Sequence, residues 1–190
     1  MKLFLASMNK TKLSEARAIL GKYGIEVEPA HVEIDENAYS TLEETAIAKA
    51  VAGMKLTGKP CIGDDGGFFM DATPGFPGVQ AKRNFQKHGH DGLLKMIEGK
   101  TRTARFRIAI ALALPNGQTQ VFLGECLGRV PEKLPEEWNP EFPFERMFVP
   151  EGKDRTFSEM PREEKHSMSH RGEALRKLAE WLSQHFIHED

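Results

Sequence analysis

The hydrophobic pattern divides the chain into short apolar runs and longer amphipathic stretches. Residues 2–7, KLFLAS, form an apolar run suited to a buried strand. Beyond it Leu13, Ala16, Ile19 and Leu20 recur at helical spacing, and Gly21 and Gly24 supply stop signals. IEVEPAHVEI (25–34) alternates in part and predicts a strand with a break at Pro29. Thr41 and Glu44 make a capping box for a helix whose apolar stripe is Leu42, Ala46, Ile47 and Ala50. PCIGDD (60–65) reads as a short strand that ends on two carboxylates, and FFMDA either continues it or pairs with it. TPGFPG (73–78) has turn chemistry, and HDGLLKMIEG (90–99) predicts a short helix. Two β-rich runs flank Pro115-Asn116-Gly117, a strong hairpin signal. Residues 131–150 show no clean period and read as an ordered loop with short helical turns. HRGEALRKLAEWLSQHF (170–186) is helical, with Leu175, Leu178 and Leu182 on one face and Trp181 beside them. Strands alternating with helices, then a long hairpin, predict a mixed-sheet α/β fold.

Composition narrows this picture modestly. The chain has 190 residues and 39% hydrophobic content, enough for one domain with a proper core, built as two lobes. Its net charge of -2 gives no general attraction to nucleic acid. Cys61 and Cys126 lack metal-ligand spacing and are expected as buried free thiols in a reducing compartment. The N-terminal apolar run is too short for a signal peptide, and no stretch approaches the roughly 20 apolar residues of a membrane span. A soluble cytoplasmic protein is expected.

Four stretches carry more polar chemistry than packing needs. ASMNKTK (6–12) joins a strand to a helix. It reads either as a solvated cap, with Asn9 on the backbone donors, or as a phosphate site with Lys10 and Lys12 adding charge. IGDDGG (62–67) reads either as an Asp-Gly turn or as a Mg²⁺ site in which glycines let a ligand approach. EKHSMSHRG (164–172) places a lysine, a histidine and an arginine before a helix, with Ser169 as a good N-cap. In PEFPFERMFVPEG (140–152), Phe142, Phe144 and Phe148 suit a core better than base stacking.

Taken in order, these stretches resemble the inosine triphosphate pyrophosphatase family of non-canonical purine nucleotide pyrophosphohydrolases. The resemblance is carried by SMNKTK (7–12), EETAIAKA (43–50), DDGGF (64–68), PGVQAKR (77–83), FPFERMF (142–148), TFSEM (156–160) and EKHSMSHRGEAL (164–175). It runs over nearly the whole chain. It implies a single domain over 1–190: an elongated mixed-sheet α/β fold with two lobes and a central nucleotide-binding cleft, commonly as a homodimer. It also implies Mg²⁺-dependent hydrolysis of a nucleoside triphosphate to monophosphate and pyrophosphate, in the manner of a house-cleaning enzyme for ITP, dITP or XTP. No nucleic acid or membrane partner is implied.

By that resemblance, Asp65 is the catalytic carboxylate. Ser7, Asn9, Lys12 and Lys49 meet the phosphates, beside Gly66 and with Lys82 or Arg83 following the Pro-Gly segment. Phe142, Glu145, Lys165, His170 and Arg171 meet the rest of the nucleotide. Asp65 and Asp64 hold the metal, with Glu36 standing in for a family glutamate whose aligned position is Asn37. Other departures are Met8 and Gly66 for a family glycine and serine, Pro143, Phe144 and Glu145 in the FPFER loop, and His166. They predict retained chemistry with a shifted base preference. The alternative is a degenerate nucleotide-binding protein with little turnover.

Overall fold

The computed structural model describes residues 1–186. Among the described residues there are seven strands: β1 (Lys2–Ala6), β2 (Glu26–Ala30), β3 (Cys61–Met70), β4 (Pro77–Gly78), β5 (Thr103–Ala113), β6 (Thr119–Arg129) and β7 (Val149–Pro150). The helices are α1 (Lys10–Leu20), α2 (Leu42–Thr57), α3 (Ala81–Met96), α4 (Arg162–Met168) and α5 (His170–Phe186). The strand order is β2-β1-β3-β5-β6-β7, with β4 beside β3. β1 runs parallel to β2 and β3, whereas β4 and β7 run antiparallel to their neighbours, so the sheet is mixed.

The described residues fold as two compact units, residues 1–65, 108–124 and 170–186 forming one, 66–107 and 125–169 the other. In the first unit β1 is central and its Leu3 and Leu5 are buried, as expected of a strand covered by helices. They pack with Ile62, Ile108, Ile110 and Leu112 against Ile19 and Leu20 of α1 and Leu175, Leu178 and Leu182 of α5. In the second unit Phe68, Phe106, Phe148 and Phe157 form a continuous aromatic core with centroid separations of 4.8–6.0 Å. Such offset and tilted ring pairs add specific contacts to their area burial.

Most elements follow the pattern of the sequence. The capping box of α2 forms, with Glu44 N–H donating to Thr41 Oγ1 at 3.1 Å and Glu44 Oε2 accepting from Thr41 N–H at 3.2 Å. Gly117 closes the hairpin at φ 88°. FFMDA proves to continue β3 as far as Met70. Two expectations change. Pro29 does not break β2 but lies within it, in register with Leu5. The helix expected over 90–99 begins nine residues earlier, at Ala81, because α3 is two helical pieces joined at Gly89, whose φ of 62° and ψ of -175° interrupt the period. Both cysteines are buried free thiols. No helix among the described residues is long and apolar enough to cross a membrane.

Candidate active site

In the first unit, three cations converge on the acidic pair in the middle of β3. Lys12 comes from α1, whose start is set by Asn9: its Oδ1 accepts from Thr11 N at 2.9 Å and Lys12 N at 3.0 Å. Asn9 N–H in turn donates to Ser7 Oγ at 3.1 Å. The cap is therefore satisfied internally, as the simpler reading of ASMNKTK holds, while the Lys12 side chain turns in and its ammonium reaches Asp64 Oδ1 at 3.0 Å. Lys49 comes from α2. The close approach of that helix depends on Gly63, where a Cβ would lie 2.4 Å from Ala46 O and 2.5 Å from Ala50 N. Lys49 Nζ consequently sits 3.4 Å from Asp65 Oδ1, 3.2 Å from Asp64 O and 2.7 Å from Glu36 Oε1. Arg171 comes from the first turn of α5, which packs on β6 where Gly124 leaves room; a Cβ there would lie 1.9 Å from His170 O.

Arg171 and Asp64 form the buried heart of this group. Arg171 donates to Asp64 Oδ2 through Nε at 3.3 Å and NH2 at 3.0 Å, and through NH1 to Glu15 at 2.8 Å. Burial alone would raise the Asp64 carboxyl, yet Lys12, Arg171 and Lys49 together hold it well below the usual carboxylate range. Burial, with Arg171 and Lys49 nearby, pulls Lys12 below the usual amine range although Asp64 opposes it. Asp65 behaves oppositely. Burial, reinforced by Asp64 and Glu36, pushes it up to about 6 against the pull of Lys49 and Lys12. The two adjacent aspartates thus differ in kind: Asp64 is a fixed anion, and Asp65 is a carboxylate poised near neutrality.

The arrangement fits a divalent cation through Asp65 and Glu36. Both carboxylates and the Asp64 carbonyl already surround one positive group, the Lys49 ammonium. Asp64's side chain, by contrast, is committed to Lys12 and Arg171. Asn37 is turned elsewhere, its Nδ2 and backbone N–H both donating to Asp35 Oδ1 at 3.0 Å. Among the described residues no group of three or more His, Cys, Asp or Glu is arranged to hold a metal. Mg²⁺ commonly binds through one or two carboxylates completed by substrate phosphates.

The second unit holds a separate polar group. Phe142 leads into a short 3₁₀ turn, Pro143–Met147. Phe144 is buried and stacks on Phe68 at 4.9 Å, and Phe148 joins the same core, as expected. Phe142 is only half-buried and stands outside that core. Lys165, on α4, pairs with Glu145 at 3.0 Å and places its ammonium 5.4 Å from the centre of the Phe142 ring. TFSEM has a structural explanation: Thr156 and Glu159 make a reciprocal cap around Phe157. Gly66 is half-buried on β3, and Lys82 and Arg83 are exposed on the first turn of α3.

Of the expected residues, the first unit gathers Asn9, Lys12, Glu36, Lys49, Asp64, Asp65 and Arg171, with Ser7 supporting Asn9; His170 is buried beside Arg171. The second unit gathers Phe142, Glu145 and Lys165. Sequence reasoning passed over Glu15. Its signal was a carboxylate one turn beyond Lys12, beside the apolar stripe of α1.

A family model described as the Ham1 family matches residues 3–181. The chain is 39% identical to a dITP/XTP pyrophosphatase of Methanopyrus kandleri, covering 95% of this chain and 96% of that one. It is 37% identical to a dITP/XTP pyrophosphatase of Thermococcus kodakarensis, covering 97% and 98%. Among solved structures, a HAM1 protein from Coxiella burnetii matches with a TM-score of 0.82 at 30% identity, over 97% of this chain and 99% of that one.

Proposed function

Because the chain belongs to the Ham1 family, we propose that it is a nucleoside triphosphate pyrophosphohydrolase that clears a non-canonical purine nucleotide from the cytoplasmic pool. Its substrate class is dITP, XTP, ITP or a close variant, cleaved to the monophosphate and pyrophosphate. The observation that carries this reading is the convergence of Lys12, Lys49 and Arg171 on the Asp64–Asp65 pair. Asp64, Asp65, Glu15 and Glu36 balance these cations in the ligand-free protein, and the ammonium groups of Lys12 and Lys49 are the ones that phosphate oxygens can take over once a divalent cation engages the carboxylates.

In this reading Arg171 and Glu15 hold Asp64 as a fixed anion. Lys12 and Lys49 exchange part of their carboxylate contacts for phosphate oxygens when substrate arrives. Asp65 accepts a proton from the water that attacks the α-phosphorus, a role suited to a carboxyl raised to about 6. The bond from the α-phosphorus to the bridging oxygen breaks, and pyrophosphate leaves. Mg²⁺, when held by Asp65 and Glu36, supplies positive charge to the phosphate oxygens. In the second unit Phe142 offers a ring face, Lys165 a donor and Glu145 an acceptor. A 6-oxopurine presents the complementary edge, an O6 acceptor beside an N1–H donor; adenine presents the reverse. A buried donor and acceptor left unpaired by the wrong base give strong discrimination. The two units are proposed as lobes of one domain, and the protein as a homodimer, which sedimentation would test.

Purified protein with Mg²⁺ and a panel of nucleoside triphosphates tests the reading by pyrophosphate release. Release from 6-oxopurine nucleotides at least tenfold faster than from ATP is expected; a shifted optimum within the panel would reflect the altered FPFER loop. No release from any member, with Asp65→Asn indistinguishable from the native chain, overturns it. A second reading, nucleotide binding without turnover, is favoured by one observation: Lys49 lies between Asp65 and Glu36. Calorimetry showing tight binding in the absence of hydrolysis would select it.

A further inference from the structure

We infer that Arg146 and His90 are positioning residues that set base selectivity by fixing the turn that carries Phe142 and Glu145. The inference rests on the reading of that turn as the base-holding element. It concerns residues that no phosphate or metal chemistry requires.

One imidazole ties two points of the turn together. His90 Nε2 lies 2.9 Å from Pro143 O, and Arg146 NH1 lies 3.3 Å from His90 Nδ1. A carbonyl can only accept, so Nε2 carries the proton; Nδ1 of the neutral ring is then an acceptor and takes the Arg146 N–H. Burial holds His90 below the usual imidazole range, Arg146 adding to the effect against the Pro143 carbonyl and Asp91. The ring therefore favours the neutral form that this pairing needs. Arg146 Nε also donates to Pro135 O at 2.6 Å, and its guanidinium lies 5.6 Å from the centre of the Trp138 ring. His90 stands edge-on to Trp138 at 4.8 Å and to Phe85 at 4.7 Å.

These contacts are directed rather than space-filling. Among the described residues Arg146 meets a carbonyl, an imidazole nitrogen and an indole face, and no carboxylate. Its charge is spent on holding backbone, not on an ion pair. A guanidinium suits that use because its donors form a rigid planar fork. His90 reaches Pro143 because α3 is interrupted at Gly89, a left-handed position that favours glycine. On the core side Phe144 and Met147 anchor the same turn. The turn is thus held from both sides, and Phe142 and Glu145, the residues that flank Pro143 and Phe144, inherit a fixed placement relative to Lys165 on α4. Hydrogen-bond discrimination between bases requires placement to within about half an ångström, so loosening the turn should cost selectivity before it costs chemistry.

The test compares Arg146→Ala, His90→Phe and His90→Gln with the native protein. Steady-state rates are measured on ITP and ATP, and inhibition by inorganic tripolyphosphate, which has no base. Arg146→Ala and His90→Phe are expected to raise KM for ITP about tenfold and to narrow the ITP/ATP ratio by a similar factor. Their kcat should stay within about twofold, and tripolyphosphate inhibition should not change. His90→Gln, whose amide can donate to Pro143 and accept from Arg146, should recover most of the native ratio. Unchanged KM and selectivity in the first two variants overturns the inference, as does a parallel loss of tripolyphosphate inhibition, which would mark general loosening. Calorimetric binding of IMP and AMP gives the same comparison without turnover. A native protein that releases no pyrophosphate but binds IMP over AMP, with the preference lost in Arg146→Ala, sinks the catalytic reading and supports the clamp. Failure to distinguish IMP from AMP sinks the clamp itself.

Discussion

Asp64 and Asp65 are chemically identical neighbours with opposite charge behaviour: at Asp65 burial, reinforced by Asp64 and Glu36, prevails over Lys49 and Lys12, whereas at Asp64 Lys12, Arg171 and Lys49 outweigh burial. Folding raises Asp65 from an ordinary 3.8 to about 6. The folded protein therefore holds that proton more tightly than the unfolded chain. Stability falls as pH rises from about 4 to about 6, by something on the order of 3 kcal/mol from this group. Asp64 has the reverse sign: its stabilisation is present above the ordinary carboxylate range and is lost as pH falls below it. Asp65→Asn should therefore raise the melting temperature of ligand-free protein at pH 8 by about 6–12 °C while abolishing pyrophosphate release. At pH 4 the difference in melting temperature should vanish. A variant less stable than the native chain at pH 8 would mean that its contact with Lys49 outweighs its burial.

At the scale of elements, two glycines let the cation-bearing helices approach and one turn delivers Glu36. Gly63→Ala should push α2 away from β3, cost about 1–3 kcal/mol in a urea titration and lower kcat by moving Lys49. The short helical turn at Glu36–Ala38 points Glu36, not Asn37, toward Lys49. Glu36→Ala is expected to raise the Mg²⁺ concentration for half-maximal rate about tenfold, with Asn37→Ala within twofold of native. Much of this level was legible in the sequence. The α2 capping box, the Asn-Gly hairpin and the apolar face of α5 are local signals, and each formed as expected. Pro29 and α3 were misread for a physical reason. Lost donors and broken periods are read locally, whereas neighbouring strands and core contacts decide whether an element continues through them.

Over the whole chain, Arg171 binds residues 15 and 64, far away in sequence and on two other elements. Removing it leaves two buried carboxylates short of a partner. Arg171→Ala should cost about 3–5 kcal/mol of stability, measured by chemical denaturation, with Arg171→Lys recovering only part of it. Such long-range pairing explains what the sequence could not show. Motif order pointed to Asp64, Lys12 and Arg171, but not to their being bonded to one another, nor to Glu15 completing the set. Likewise nothing local in HGHDG or FPFER announced that His90 and Arg146 would meet.

The chain passes between its two compact units four times, after residues 65, 107, 124 and 169, and three of those passages fall inside strands. Neither unit is therefore a heritable module. No single crossover in a gene could exchange one unit and spare the other, and no insertion at those strand positions would leave the hydrogen-bonded ladder intact. The cation cluster and the FPFER turn therefore belong to one interleaved sequence. The proposed shift in base preference therefore rests on point changes: Met8 in the loop before α1, Gly66 within β3 and Arg146 in the 3₁₀ turn.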